Sequence, residues 1–262
     1  MSILPPDQYL ALVVQATIGC SWNKCTFCGL YRDRQFRVRG VDEFRAHCTA
    51  VRDYFGAGLS LRRGIFLADA NALTVPQARL LELVQAAQAV FQRGATSHPL
   101  FSFISAFDAQ RKQPADWAVL RDLGLSRVYI GLESGDDELL QFVQKPGDAA
   151  AAVDAVTDIK AGGIGVGVIA MVGLGGDRFA AQHVANTVRT ISAMPLDSAD
   201  VIYLSAYRPA PHTEYPQQVQ DAGITPLTPE QEKTQQRALQ DALRTRFPQV
   251  RVAPYHVSGF AL

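Results

Sequence analysis

Short apolar, β-branched runs alternate with longer helical patterns along nearly the whole chain. YLALVVQATI (9–18), GIFLA (64–68), LFSFIS (100–105), RVYIGL (127–132), GVGVIAMVG (165–173) and DVIYLSAY (200–207) read as strands. Between them lie VDEFRAHCTAVRDYFG (41–56), a helical stretch over 75–94, PADWAVLRDLG (114–124), two helical segments between 136 and 163, and DRFAAQHVANTVRTISAM (177–194). TPEQEKTQQRALQDALRTRF (228–247) is a last helix, with Thr228 as N-cap and Pro229 at its first position. Six β–α units in succession require a parallel sheet with its faces covered by helices. A curved six-strand barrel sector and a doubly wound sheet satisfy the pattern equally. The tail VRVAPYHVSGFAL adds a further strand or packs against the rim. With no linker or low-complexity tract, residues 1–262 read as one domain, a β/α core over about 11–207 followed by a C-terminal helix and tail over 208–262.

The charge balance excludes some roles. Twenty-five basic residues match 25 acidic ones, which argues against an electrostatically driven nucleic-acid binder. No apolar run approaches the roughly 18 residues of a membrane span. The opening MSILPPDQYLALVVQ has no basic n-region and does not read as a signal peptide. A cytoplasmic protein is the expectation, and clustered cysteines there favour metal or redox chemistry over disulfides.

GCSWNKCTFCGLY (19–31) places Cys20, Cys25 and Cys28 in a C-x4-C-x2-C spacing just after the first strand; the chain's other cysteine is Cys48. Disulfides among the three would leave one thiol over. Structural zinc wants a fourth ligand, for which His47 and Cys48 are the candidates. An iron–sulfur cubane can be held by three thiolates with one iron left open. Cys48 falls on the apolar side of its helix with Phe44, Val51 and Phe55, the place of a buried free thiol. Arg32, Arg34, Arg37 and Arg39 form a modest basic patch after the loop, either a solvated edge or a seat for an anion.

In parallel α/β folds, chemistry gathers at the C-terminal ends of the strands. The cysteine loop, Asp69 and Asn71, Ser105 and Asp108, Glu133 and Ser134, Gly173 to Asp177, and Tyr207 with Arg208 follow the six strands in turn. All would share one rim. Each also has a plain structural reading: a turn or cap for Asp69, Asn71 and Ser105, an ion pair with a rim Lys or Arg for Glu133, and a strand-to-helix turn for the glycines. His98 and His183 read as structural.

The loop, its position after strand one, the aromatic Phe27 before the last cysteine and the six-unit pattern resemble the radical S-adenosylmethionine (SAM) superfamily. The usual family spacing is C-x3-C-x2-C, and this chain has one further residue in the first gap. The resemblance implies a partial (β/α)6 TIM-type barrel of parallel strands. It implies a 4Fe-4S cluster on Cys20, Cys25 and Cys28, with SAM on the open iron and a flavodoxin- or ferredoxin-type reductant. Cleavage of SAM would give a 5′-deoxyadenosyl radical that abstracts hydrogen from a small-molecule or other substrate. Methyl or sulfur-group transfer and RNA modification are variants of that chemistry. A zinc-stabilised binding protein without turnover is the alternative from another class. By the same resemblance Phe27 lies beside the adenine, and Ala68-Asp69-Ala70-Asn71 stands where the family carries Gly-Gly-Glu for the methionine amino group. Ser105 belongs to the same rim. Glu133 and Ser134 fall where members contact ribose or methionyl groups, and Gly173 and Gly175 lie in the segment that lets backbone approach the adenine.

Overall fold

A computed structural model describes residues 3–92 and 98–255. In chain order the elements are β1 (Leu12–Gln15), β2 (Thr17–Ile18), β3 (Arg37–Val38), α1 (Val41–Phe55), β4 (Ile65–Ala68), α2 (Gln77–Phe91), β5 (Leu100–Ile104), α3 (Ala106–Ala109), α4 (Pro114–Asp122), β6 (Leu125–Glu133), α5 (Asp137–Phe142), α6 (Ala149–Ala161), β7 (Gly165–Val172), α7 (Gly176–Ser192), β8 (Val201–Ala206), α8 (Tyr215–Asp221), α9 (Pro229–Arg246) and β9 (Arg251–Tyr255). The last residues of the helical stretch expected over 75–94 and the tail beyond Tyr255 lie outside the described residues.

The seven-stranded sheet runs β1-β4-β5-β6-β7-β8-β9, parallel throughout. Spatial order follows chain order. A doubly wound sheet reverses its order at a switch point; this one never does, so the winding is that of a barrel sector, open between β1 and β9. The six expected strands are all present. The seventh comes from the tail, where Arg251–Tyr255 pairs with Val201–Ser205. Pro254, which cannot donate to a ladder, is tolerated because β9 is an edge strand. Thr228 caps α9 in a capping box with Gln231, and Pro229 opens the helix.

Two apolar layers result. One packs the helices on the outer face of the sheet and holds Cys48, fully buried beside Phe44. The other fills the concave face with Phe66, Tyr129, Ile169, Tyr203 and Tyr255. Its lower end is stoppered by the turn Pro6–Gln8. The hydroxyls of Tyr129 and Tyr203 donate to the Asp7 carboxylate at 2.6 and 2.8 Å, and Arg127 pairs with it. Gln8 donates to Tyr129 at 2.8 Å. The concave face is thereby closed below, and its cavity lies toward the C-terminal strand ends. Among the described residues no helix is long and apolar enough to cross a membrane.

Burial raises the Asp7 pKa, but the Tyr129, Tyr203 and Gln8 hydrogen bonds and the Arg127 charge outweigh it and hold the carboxyl below its ordinary value. A depressed folded-state pKa gives stability that is present above the unfolded value, near pH 4, and lost as pH falls through the folded one. Asp7→Asn is therefore expected to lower stability at pH 7 by about 2–3 kcal/mol, with the partly exposed Arg127 contributing little. The loss should shrink toward acid pH. Urea unfolding at pH 7 and pH 3 measures both; an equal loss at the two pH values would show that Asp7 acts through its shape alone.

Candidate functional site

The cysteine loop is closed at its base by an antiparallel ribbon, Thr17 opposite Val38 and Ile18 opposite Arg37. Gly19 turns there with φ of +80°, and its N–H donates to the Asp69 carboxylate at 3.2 Å. Within the loop Arg32 donates to the Cys25 and Cys28 carbonyls at 2.9 and 3.2 Å. The Thr26 carbonyl accepts from the N–H groups of Glu214 and Tyr215, both at 3.1 Å. Trp22 donates to the Gln144 carbonyl at 2.8 Å. The loop is thus pinned to its neighbours through backbone groups, and its three thiols are left facing one space. Of the basic patch, Arg37 and Arg39 both pair with Glu43, and Arg34 with Asp33.

That space is a cavity of about 540 Å³ at the C-terminal strand ends. Its lining includes Cys20, Cys25, Cys28, Phe27, Asn71, Ser105, Glu133 and Lys145. Burial pushes the Cys25 thiol up to about 12, with Lys145 opposing and Cys28, Glu133 and Cys20 adding to the rise. The three sulfurs are near enough to feel one another's charge. Yet no three His, Cys, Asp or Glu side chains among the described residues are close enough to share one metal ion. A cubane binds each thiolate to a different iron, whereas zinc draws all its ligands to one point. The candidate fourth zinc ligands are also engaged elsewhere. His47 accepts from the Gln15 N–H at 3.1 Å through Nε2, and Cys48 is in the outer core. The donor set fits a three-thiolate cluster.

Glu133 sits at the end of β6 with φ of +61°, a backbone state that non-glycine residues seldom adopt. Its Oε1 accepts from Lys145 Nζ at 2.9 Å, and both side chains are 13% exposed. Burial lowers the Lys145 pKa, but the Glu133 charge and the Cys25 thiol more than offset this, so the ammonium stays charged. A Cβ on Gly131 would lie 2.4 Å from that Glu133 oxygen; the glycine makes room for the pair. The second carboxylate oxygen of Glu133 makes no hydrogen bond among the described residues and remains an acceptor in the cavity.

Asn71 and Ser105 meet on the cavity wall through Asp108. Asn71 accepts from the Ser105 N–H at 2.6 Å, donates to Ser21 Oγ at 2.6 Å and also donates to Asp108. Ser105 caps α3 and its hydroxyl donates to Asp108 at 2.8 Å. Other sequence candidates lie outside the lining residues. Asp69 is fully buried and holds Gly19. Ser134 is fully buried, its hydroxyl bonded to His183 Nδ1 at 2.7 Å, while His183 Nε2 bonds the Met171 carbonyl at 2.8 Å. Gly173 donates to Gln235 on α9 at 2.7 Å, and Gly175 to the Tyr215 hydroxyl at 2.6 Å; both have positive φ. Lys145 was not singled out from sequence. Its only signal there is a basic residue before the Pro146-Gly147 turn, twelve positions from its partner.

A family profile described as the Radical SAM superfamily matches residues 14–188. A search of curated proteins finds no match. Among solved structures, the chain is similar to coproporphyrinogen III oxidase (HemN) from Escherichia coli, described as a radical SAM enzyme, with TM-score 0.61 and 15% identity over 90% of this chain and 51% of that one. Methylornithine synthase (PylB) gives TM-score 0.59 and 16% identity over 94% and 71%. The radical SAM methyltransferase TsrM from Kitasatospora setae, solved with cobalamin and a 4Fe-4S cluster, gives 0.61 and 17% over 84% and 41%. At such identities these likenesses show the fold. The chain spans about half the length of the HemN structure it matches.

Proposed function

We propose, from the premise that this chain belongs to the radical SAM superfamily and is one of its enzymes, that Cys20, Cys25 and Cys28 carry the 4Fe-4S cluster and that Glu133 and Lys145 receive SAM beside it. The observation that carries this reading is three thiols and a buried carboxylate–ammonium pair lining one cavity, with no fourth thiol there. Bound together, the family's cluster and SAM supply a 5′-deoxyadenosyl radical for hydrogen abstraction. Everything else falls to the chain. The Cys25 and Cys28 thiols, whose pKa values burial raises, give up their protons on taking up iron. The free oxygen of Glu133 accepts from ribose hydroxyls or an ammonium. Lys145 offers its charge to a carboxylate. Phe27, Ile104 and Met171 give apolar walls that keep water from a reactive intermediate. Members of the family need a reductant and a substrate. A flavodoxin- or ferredoxin-type protein in the cytoplasm suits the first; the second is a small molecule, in keeping with the cavity's size.

Anaerobic reconstitution followed by iron and sulfide analysis and SAM binding tests the reading. Glu133→Gln keeps the side chain's shape and removes its charge. Cluster content is expected to stay unchanged while SAM affinity falls by about 1.5–3 kcal/mol, one to two decades. Unchanged SAM affinity would make Glu133 only the structural partner of Lys145.

A further inference from the structure

Where β8 and β9 end, the cavity carries three hydroxyls without a partner among the described residues. Ser205, Tyr207 and Tyr255 all line the cavity. Ser205 and Tyr255 stand side by side in the β8–β9 register, 5% and 3% exposed. Tyr203 and Ser205 share the inward face of β8, and Tyr207, just past its end, packs edge-on against Tyr215 with ring centroids 4.8 Å apart. The hydroxyls of Tyr207 and Tyr255 are buried and make no hydrogen bond among the described residues, and none is made by the Ser205 side chain.

The other buried phenols nearby are all satisfied. Tyr129 and Tyr203, one layer lower, donate to Asp7, and Tyr215 accepts from Gly175. A buried hydroxyl left unbonded is costly, and native chains rarely carry two in one cavity without a ligand to complete them. At the rim of the same cavity stands Arg208. Its Nη1 is taken by Glu232 at 2.9 Å and the Tyr207 carbonyl at 2.6 Å, and its Nη2 and Nε make no bond among the described residues. Between rim and floor the surface is apolar: Phe103, Ile169 and Met171.

We propose that this wall is the substrate subsite and that it takes a small carboxylic acid bearing a second oxygen function. Arg208 and Tyr207 hold the carboxylate, Ser205 and Tyr255 bond the second oxygen, and the apolar body lies against Phe103, Ile169 and Met171. A carboxylate suits the wall better than a phosphate. Among the described residues Arg208 is the one cation of this wall and is partly neutralised by Glu232, while the wall's other donors are neutral. The assignment rests on the radical SAM reading of the three thiols and the Glu133–Lys145 pair, which leaves this wall for the molecule that is acted on.

The test uses reconstituted, SAM-loaded protein and two probes of equal shape, 4-hydroxybenzoate and neutral 4-hydroxybenzamide, with binding followed by equilibrium dialysis. The wild type is expected to bind the acid about tenfold more tightly than the amide, and Arg208→Gln to erase the difference. Tyr207→Phe and Tyr255→Phe should each weaken the acid about threefold to tenfold. The same two variants without probe should melt about 1–3 °C higher than wild type, because each removes an unbonded buried hydroxyl. A structural hydroxyl would do the reverse. No preference for the acid in the wild type, or lower melting temperatures in both phenylalanine variants, overturns the assignment. Iron content, measured first, separates the two levels: a wild-type chain that takes up no iron sinks the radical SAM reading and this subsite with it, whereas a loaded chain that ignores the acid sinks the subsite alone.

Discussion

Cys20→Ala, Cys25→Ala and Cys28→Ala are each expected to lose nearly all bound iron and sulfide after anaerobic reconstitution, and Cys48→Ala to keep it. The three thiols line one cavity, while Cys48 is fully buried on α1 between the helices and the sheet. A cubane held by two thiolates loses one of its three protein anchors and opens a second iron to solvent and oxygen. The loop offers no substitute, because between Gly19 and Tyr31 there is no further cysteine and no histidine, aspartate or glutamate. Arg32 binds the Cys25 and Cys28 carbonyls, and Asp69 binds Gly19. Burial pushes the Cys48 thiol up to about 12, the behaviour of an inert core residue, so Cys48→Ala should cost about 1–2 kcal/mol in packing and nothing in iron. Retained iron in Cys25→Ala with loss in Cys48→Ala would reverse the assignment.

Lys145→Met is expected to destabilise the protein and weaken SAM binding together. Glu133 and Lys145 are 13% exposed and 2.9 Å apart. Removing the ammonium leaves a carboxylate in a largely apolar cavity beside three sulfurs. Breaking a buried pair costs about 3–5 kcal/mol, and the residual exposure here puts the expected loss near the lower end. The double variant Lys145→Met with Glu133→Gln removes the stranded charge and should recover much of the stability, but none of the SAM affinity. Denaturant unfolding of the four proteins in the cycle measures the coupling. Additive losses would mean that the two side chains do not act as a pair.

The strands and helices were legible because each carries its own period and its own punctuation. The apolar runs at 64–68, 100–105, 127–132, 165–173 and 200–207 became strands with ends moved by two residues at most. Thr228 and Pro229 opened α9 as expected. The direction of winding was not legible. It depends on which face each crossover takes, and local residue pattern is the same for both solutions; only the sheet order settles it. The β2–β3 ribbon is two residues a side, too short for a periodic signal.

For the candidate site, sequence could name residues at strand ends but not their direction. Glu133 and Ser134 are neighbours, yet one lines the cavity and the other is locked to His183 in the core. The bulge in the β6–β7 pairing between Gly131 and Glu133, together with the positive φ of Glu133, decides which side chain faces inward. Lys145 and Tyr255 are brought to the cavity by elements remote in sequence, one after α5 and one on β9. Asp7 was equally hidden. A carboxylate in the PPDQ opening looks like surface until Tyr129, Tyr203 and Arg127 converge on it.

Reductive cleavage of SAM in this cavity has a decisive assay. Chromatography of the reconstituted protein with SAM and a low-potential reductant tests it most directly. 5′-Deoxyadenosine and methionine are expected, formed slowly without substrate and lost in Cys25→Ala. A chain that holds a reducible cluster and binds SAM yet yields no 5′-deoxyadenosine, or gives methylthioadenosine as its main product, would contradict it.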